Sequence, residues 1–216
     1  MIDLNLPHRV RLPDDAPRLA PAIVMVHGWL GNENSMWVFE NALPPGALAV
    51  SMRAPFAVDN GYGWMLPGAT GRRDGSDAES FNAGLAALRE FVAALPSAYS
   101  VDPEKVVLVG FSQGAAISLA LLLSEPSMAA ATAVLSGFLP PPARHWAMPG
   151  RLSGKSIFVA HGTADRDVPH AAAVLTRDAL TRTGAAITYR EYVVGHKMTA
   201  QGMRDLQAWL AEVARA

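Results

Sequence analysis

The sequence contains no cysteine among its 216 residues. Disulfide bridges, thiolate zinc sites, iron–sulfur clusters and a cysteine nucleophile are therefore excluded. Charge is also scarce, since Asp, Glu, Lys and Arg make up 17% of the chain and the formal net charge is -1. This near-neutral balance gives no electrostatic reason to expect nucleic acid or an anionic membrane surface as a partner.

Long hydrophobic runs are missing as well. The longest, residues 114–123, is interrupted by Ser118 and is about half as long as the roughly 20 residues that a membrane span needs. The segment Met1–Asn5 carries an acid where a signal peptide has basic residues, and no apolar segment follows it. We therefore expect a soluble, cytoplasmic protein without membrane insertion.

What the sequence does have is a high hydrophobic content, at 50% of residues, which suits one globular domain over residues 1–216. Apolar, β-branched runs recur along the chain, and the central ones are apolar throughout, as expected of strands buried on both faces of a parallel sheet. The predicted strands are Asn5–Leu12, Ala22–Val26, Ala47–Met52, Lys105–Val109, Ala131–Leu135, Ser156–Ala160 and Ile187–Tyr192.

Segments with apolar residues at three- and four-residue spacing lie between these strands and are predicted to be helices. Pro96 and Pro126 are expected just past two of their ends. This alternation favours a three-layer α/β architecture with a mostly parallel central sheet. The predicted helices are Ala78–Leu95, Gln113–Leu123, Ala171–Arg182 and Ala200–Ala214, and two glycine- and proline-rich stretches, Ala54–Ser76 and Gly137–Gly154, are predicted to be loops outside the core and near the site.

The most informative motif is Gly110-Phe111-Ser112-Gln113-Gly114, which lies directly between a predicted strand and a predicted helix. A serine in such a strained turn projects its hydroxyl above the sheet, and the flanking glycines relieve the crowding. The start of the helix offers the N–H of Gln113 to a developing oxyanion. Ser112 is therefore the candidate nucleophile, and the alternative is a glycine-lined turn with an idle serine.

A serine nucleophile needs a base, and His196 is the best-placed of the six histidines because it follows the last predicted strand. The acid that orients it should follow an earlier strand. Asp165 and Asp167 both follow the strand Ser156–Ala160. Position favours Asp165, because Asp167 lies closer to the proline that begins the next helix and suits an N-cap, but both remain open on this ground.

Taken together, these motifs resemble the α/β-hydrolase group of phospholipase/carboxylesterases and acyl-protein thioesterases. The resemblance implies the α/β-hydrolase fold in a minimal form without a cap domain, and a Ser-Asp-His triad in which Asp165 matches the catalytic aspartate and His161 is structural. It covers Ile23 to Leu210 and rests on His27-Gly28, Arg53-Ala54-Pro55, residues 110–115, His161-Gly162-Thr163-Ala164-Asp165-Arg166-Asp167-Val168-Pro169 and Gly195-His196.

The resemblance also implies an oxyanion hole built from the backbone N–H groups of Gln113 and Trp29. The chain departs from the family pattern here, because Gly28-Trp29-Leu30-Gly31 carries one residue more before the second glycine than the commonest form. Leu30 is therefore the alternative second donor.

We expect a serine carboxylesterase acting on short- to medium-chain acyl esters, with no metal and no organic cofactor. The alternatives are an acyl-protein or lysophospholipid (thio)esterase and a non-catalytic hydrolase-fold binding module. The expected site is a shallow, open cleft walled only by the two predicted loops, and the expected partner is a small-molecule ester bound by a monomer or homodimer. Its predicted substrate-binding residues are Leu30, Trp64, Met65 and Phe138.

Overall fold

The computed structural model describes residues 4–14 and 19–215. We expected no signal peptide from the segment Met1–Asn5, and residues 1–3 of that segment lie outside the described residues. The strands are β1 (His8–Arg11), β2 (Ala20–Val26), β3 (Leu48–Met52), β4 (Phe56–Val58), β5 (Gly61–Gly63), β6 (Val101–Phe111), β7 (Ala131–Leu135), β8 (Ser156–Gly162) and β9 (Ala186–Tyr192). The α-helices are α1 (Ala78–Tyr99), α2 (Gln113–Ser124), α3 (His170–Thr181) and α4 (Ala200–Val213).

Seven strands form one sheet in the order β1-β3-β2-β6-β7-β8-β9. The edge strand β1 is antiparallel to β3, and every other pair in this sheet is parallel. The chain reverses direction across the sheet after β3, because β6 pairs on the other side of β2. A ligand site is expected at the carboxyl ends of the strands beside such a reversal.

Both faces of the sheet are covered, which explains the continuously apolar strands. On one face, Val24 and Leu108 pack with residues of α1, α2 and α3. On the other, Ile23 and Val107 pack with α4 and with the 3₁₀ helix Ser35–Ala42. The predicted three-layer α/β architecture is confirmed, and the described residues include no cap domain.

Helix α2 begins in close contact with the sheet. A Cβ atom on Gly114 would lie 2.1 Å from the carbonyl oxygen of Val26, a separation that only glycine allows. Every residue of α2 except the last is buried. This close contact fixes the start of α2, and with it Ser112, against the end of β2.

Three expectations about local structure are wrong. Pro96 lies inside α1, not past its end, and its missing N–H leaves the carbonyl of Val92 without its helical partner. The stretch Ala54–Ser76 contains the β4–β5 hairpin and contributes Trp64 and Met65 to the core. The stretch Gly137–Gly154 contains the 3₁₀ helix Pro141–Trp146 and also contributes to the core, through Leu139, Ala143 and Leu152.

No helix within the part of the chain that the structure describes combines the length and the apolarity needed to cross a bilayer.

Gly84 provides a test of how tightly α1 packs. In Gly84→Ala the new Cβ would lie 2.0 Å from the carbonyl oxygen of Trp64, so we expect the free energy of unfolding to fall by about 1–3 kcal/mol. Helix propensity alone would favour alanine by roughly 0.5–1 kcal/mol. Urea denaturation measures the difference. Gly46→Ala is the matched control, because nothing lies within 4 Å of its Cβ, and equal stabilities of the two variants would contradict the packing.

Candidate active site

Ser112 lies in the turn that joins β6 to α2. Its backbone has φ 54 and ψ -118, a conformation that side-chain-bearing residues rarely adopt. Its N–H donates to the carbonyl of Leu135 at 2.9 Å, which ties the turn to the end of β7. The serine is half-buried and lines a cavity at the carboxyl ends of the strands. The structure therefore has the sharp turn that the glycine-flanked motif predicts.

His196 and Asp165 come together on the same side of the sheet. His196 lies on the loop between β9 and α4, and its Nδ1–H donates to Oδ2 of Asp165 at 2.7 Å. The Asp165 side chain is fully buried, whereas that of His196 is 19% exposed and lines the cavity that holds Ser112. With Nδ1 engaged by the carboxylate, Nε2 is the nitrogen left to act in the cavity.

The turn after β8 explains which aspartate reaches the histidine. Oδ1 of Asp165 accepts the backbone N–H groups of Asp167 at 2.9 Å and Val168 at 3.0 Å. These bonds aim the other carboxylate oxygen at His196. The side chain of Asp167 is exposed, and α3 has Pro169 as its N-cap, so the N-cap reading of Asp167 is wrong.

His161 lies buried beneath this turn. Its Nε2–H donates to the carbonyl of Val168 at 2.8 Å and lies 3.5 Å from Oδ2 of Asp165. Burial lowers the pKa of His161 below its usual value of 6.5. The ring is therefore neutral at pH 7 and supports the turn that carries Asp165.

The Gln113 side chain connects the Ser112 turn to the hairpin side of the site. Its Oε1 accepts the N–H of Trp64 at 2.7 Å, and its Nε2 donates to the carbonyl of Met65 at 2.8 Å. The indole N–H of Trp64 in turn donates to the carbonyl of His27 at 3.0 Å. One buried amide thus holds both the start of α2 and the segment after β5.

His27 continues this network into the loop after β2. Its Nε2 accepts the N–H of Ala54 at 3.0 Å, so the ring proton resides on Nδ1, which donates to the carbonyl of Gly28 at 2.7 Å. Burial is the largest influence on its pKa and lowers it from 6.5. Protonation of Nε2 would break the bond to Ala54.

Trp29 and Leu30 form the tip of the loop after β2. The N–H of Gly31 donates to the carbonyl of Gly28 at 3.1 Å, and Leu30 adopts a left-handed φ of 63. Within residues 4–14 and 19–215, the N–H groups of Trp29 and Leu30 form no hydrogen bond. Both residues line the cavity, so the turn offers two candidate second donors.

The cavity around Ser112 has a volume of about 1380 Å³. Leu30 and Phe138 line it as predicted, but Trp64 and Met65 do not, because their side chains are fully buried in the core. The expectation that only the two predicted loops wall the site is also wrong. The further wall residues that the sequence did not predict belong to the 3₁₀ helix after β2, to α3, to the loop before α4 and to the start of α4. They include Met36, Phe39, Leu175, Ala179, Met198 and Met203.

One group of side chains within the described residues has the spacing of a metal site. Ligand atoms of Asp165, Asp167 and His196 lie within 4.8 Å of one another. However, both oxygens of Asp165 already accept hydrogen bonds, and the Nδ1 of His196 is the donor to one of them. The arrangement therefore suits orientation of an imidazole better than coordination of a metal.

The parallel sheet with a serine in the turn from β6 to α2 defines an α/β-hydrolase. The chain belongs to the phospholipase/carboxylesterase family, whose model matches residues 15–214. It is accordingly an enzyme of the class that hydrolyses ester bonds.

Relatives with established names agree with this assignment. The chain is 27% identical over 174 residues to acyl-protein thioesterase 1 of Candida albicans, covering 72% of this chain and 75% of that protein. It is 30% identical over 115 residues to carboxylesterase SOBER1 of Arabidopsis thaliana, a match that spans 52% of this chain and 50% of the relative. The crystal structure of the Bacillus cereus carboxylesterase superposes with a TM-score of 0.85 at 22% identity, over 97% of this chain and 95% of that one. This last likeness shows the fold.

The Gln113 network predicts a large effect from a small change. Gln113→Glu replaces the Nε2 donor with an oxygen that faces the carbonyl of Met65. We expect the free energy of unfolding to fall by about 1–3 kcal/mol, because a buried acceptor loses its donor. Urea denaturation tests this, with Gln207→Glu as control because Gln207 is exposed on α4. A decrease in the free energy of unfolding no larger than that of Gln207→Glu would contradict the network.

The buried histidines predict a pH dependence of stability. The pKa values of His27 and His161 are lowered in the folded protein, so below the usual value of 6.5 the unfolded chain binds more protons than the folded one. The two histidines contribute fully to the free energy of unfolding above that pH. This contribution is lost as the pH falls through their pKa values in the folded protein. We expect a lower free energy of unfolding at about pH 5.5 than at about pH 7.5. His161→Gln should reduce the difference, and an unchanged stability across this interval would contradict the assignment.

Proposed function

We propose that Ser112, His196 and Asp165 form a catalytic triad that hydrolyses short- to medium-chain carboxylic esters through an acyl-enzyme. The observation that carries this proposal is the 2.7 Å hydrogen bond between Nδ1 of His196 and the buried carboxylate of Asp165, on a loop facing the cavity of Ser112. A carboxylate in this position sets the tautomer of the histidine and stabilises the imidazolium that forms when the ring accepts a proton.

The reaction begins when Nε2 of His196 accepts the proton of Ser112 Oγ while that oxygen attacks the ester carbonyl. The imidazolium then protonates the leaving alcohol as the acyl carbon–oxygen bond breaks. Water enters, gives a proton to the same nitrogen and attacks the acyl-enzyme, and Ser112 recovers its proton as the carboxylic acid leaves.

The oxyanion of each tetrahedral intermediate is held by backbone N–H groups. The first is that of Gln113, at the N-terminus of α2, where the helix dipole favours negative charge. We assign the second to Trp29 in preference to Leu30. It directly follows Gly28, and a Cβ on Gly28 would lie only 3.2 Å from the Cβ of Ser112.

Thioester hydrolysis is the second candidate, and the likeness to an acyl-protein thioesterase supports it. It needs the same nucleophile, base and oxyanion hole, with a thiol as the leaving group. A panel of acyl esters, acyl thioesters and lysophospholipids, each with several chain lengths, would rank these substrate classes by kcat/KM.

Substitution of the triad tests the mechanism. Ser112→Ala should lower kcat for para-nitrophenyl butyrate by about 10⁵–10⁶-fold, and Asp165→Asn by about 10⁴-fold, by analogy with other triads. Asp167→Asn should have a much smaller effect, because Asp167 contacts the turn through its backbone.

A fluorophosphonate probe provides an independent readout, since it labels an activated serine and spares an idle one. We expect labelling of the native protein and none of Ser112→Ala. Undiminished hydrolysis by Ser112→Ala, or no labelling of the native protein, would rule out the triad and favour a non-catalytic binding module.

A further inference from the structure

One face of α3 forms a wall of the cavity. The cavity-lining residues of this helix are spaced by three or four positions or are adjacent, so they share a single helical stripe. Leu175 is 66% exposed, whereas Ala179 is buried, so the stripe has both an open and an enclosed part. These residues are Ala172, Leu175, Thr176 and Ala179, and Arg182 continues the stripe directly after the helix.

The opposite wall comes from the segment that holds the 3₁₀ helix Pro141–Trp146. Pro141, Arg144 and Ala147 line the cavity at intervals of three residues, and three residues make one turn of a 3₁₀ helix. Both elements therefore line the same cavity, and the part of it along α3 and this segment is called the groove. Apart from Arg144 and Arg182, both walls are uncharged.

Two hydrogen bonds fix the direction of this groove. The N–H of Leu139 donates to Oγ1 of Thr176 at 2.8 Å, and that of Leu152 donates to the carbonyl of Thr183 at 3.0 Å. The segment between Leu139 and Leu152 therefore follows α3 toward its C-terminus. Arg144 belongs to this segment and Arg182 directly follows α3, and both line the cavity.

The groove thus leads from the catalytic loops to a pair of arginines. Val168, at the N-terminal side of α3, is bonded to Asp165 and lines the cavity. From Ala172 to Arg182 the helix rises ~15 Å, at 1.5 Å per residue. Arg182 therefore lies at the end of α3 that is away from the turn carrying Asp165, while Ser112 and both arginines line the same cavity.

Neither arginine is neutralised within the part of the chain that the structure describes. Eight ion pairs are found there, and none of them includes Arg144 or Arg182. Asp178, one turn before Arg182, binds Arg177 through Oδ1 at 2.8 Å. Two other cations without an ion pair among the described residues line the cavity at its catalytic end, Arg73 over the Trp29 ring and Lys197 beside His196. Arg144 and Arg182 are the unpaired cations along α3, and in a chain of formal net charge -1 they match an anion on the substrate.

We propose that the preferred substrate is an ester whose acyl group is a linear apolar chain ending in a carboxylate, with the chain along α3 and the carboxylate between Arg144 and Arg182. This assignment rests on the proposed function, because Ser112 must be the nucleophile for the groove to receive the acyl group. Hydrolysis breaks the acyl carbon–oxygen bond, water supplies the hydroxyl group, and the products are an alcohol and a dicarboxylic acid. Guanidinium groups bind carboxylates in two-pronged geometry, which gives the end of the chain a defined position.

Two substrates of equal chain length test the proposal. Mono-para-nitrophenyl suberate carries a free terminal carboxylate, and its methyl ester is a neutral match. We expect the native enzyme to hydrolyse the anionic substrate with a kcat/KM at least about tenfold higher, and the preference to shrink as ionic strength rises. Arg144→Gln and Arg182→Gln should each reduce this preference, and the double variant should abolish it.

Arg177→Gln is the matched control, since Arg177 belongs to α3 but is paired with Asp178 and does not line the cavity. It should keep the preference. Equal kcat/KM values for the two esters in the native enzyme, or a preference that survives in the double variant, would overturn the proposal.

Binding to Ser112→Ala separates this proposal from the proposed function. Calorimetry with monomethyl suberate should detect binding to Ser112→Ala, and binding should be lost when Arg144 and Arg182 are also replaced by Gln. Binding without hydrolysis of either ester by the native protein would refute the triad and retain the anion site. Hydrolysis of both esters without a preference and without binding would refute the anion site alone.

Discussion

Two hydrogen bonds from the buried amide of Gln113 hold the catalytic side of this molecule together. The residue begins α2, so its backbone belongs to the serine turn, while its side chain binds the main chain at Trp64 and Met65. Trp64 passes the constraint to His27 through its indole N–H. Since His27 also binds the carbonyl of Gly28, the loops that supply both proposed oxyanion donors are connected by one chain of buried polar contacts. Such networks are rigid only when every member is satisfied.

The parts of the fold that could be predicted from the sequence are those set by local pattern. Continuous apolar runs marked the buried strands, and glycines around Ser112 marked the strained turn. Trp64 and Met65 were predicted to line the pocket but lie in the core. An apolar residue in a glycine- and proline-rich segment suits a pocket wall and a core equally well. Their burial depends on Gln113, 49 positions from Trp64, and a contact at that separation has no local signature.

Sequence position alone does not decide which of the two aspartates after β8 binds the histidine. Asp165 and Asp167 are two residues apart, and both precede a helix that begins near proline. The structure distinguishes them because the carboxylate of Asp165 turns back onto the following N–H groups, a local hydrogen-bonding habit of aspartate. That turn leaves one oxygen free for His196. Sequence order indicated the loop that the structure joins to His196, and the family resemblance favoured Asp165, the residue that makes this bond.

Helix α3 divides its surface between two tasks. Ala173 and Leu180 are buried against the sheet, whereas Leu175 stands 66% exposed at the cavity mouth. Leu175 can therefore be exchanged with little cost to folding, whereas Thr176 and Ala179 on the same cavity stripe are buried and also anchor the helix. An exchange at Leu175 would therefore alter the wall of the cavity without disturbing the core. This makes α3 a natural place to diversify acyl selectivity in a directed-evolution library.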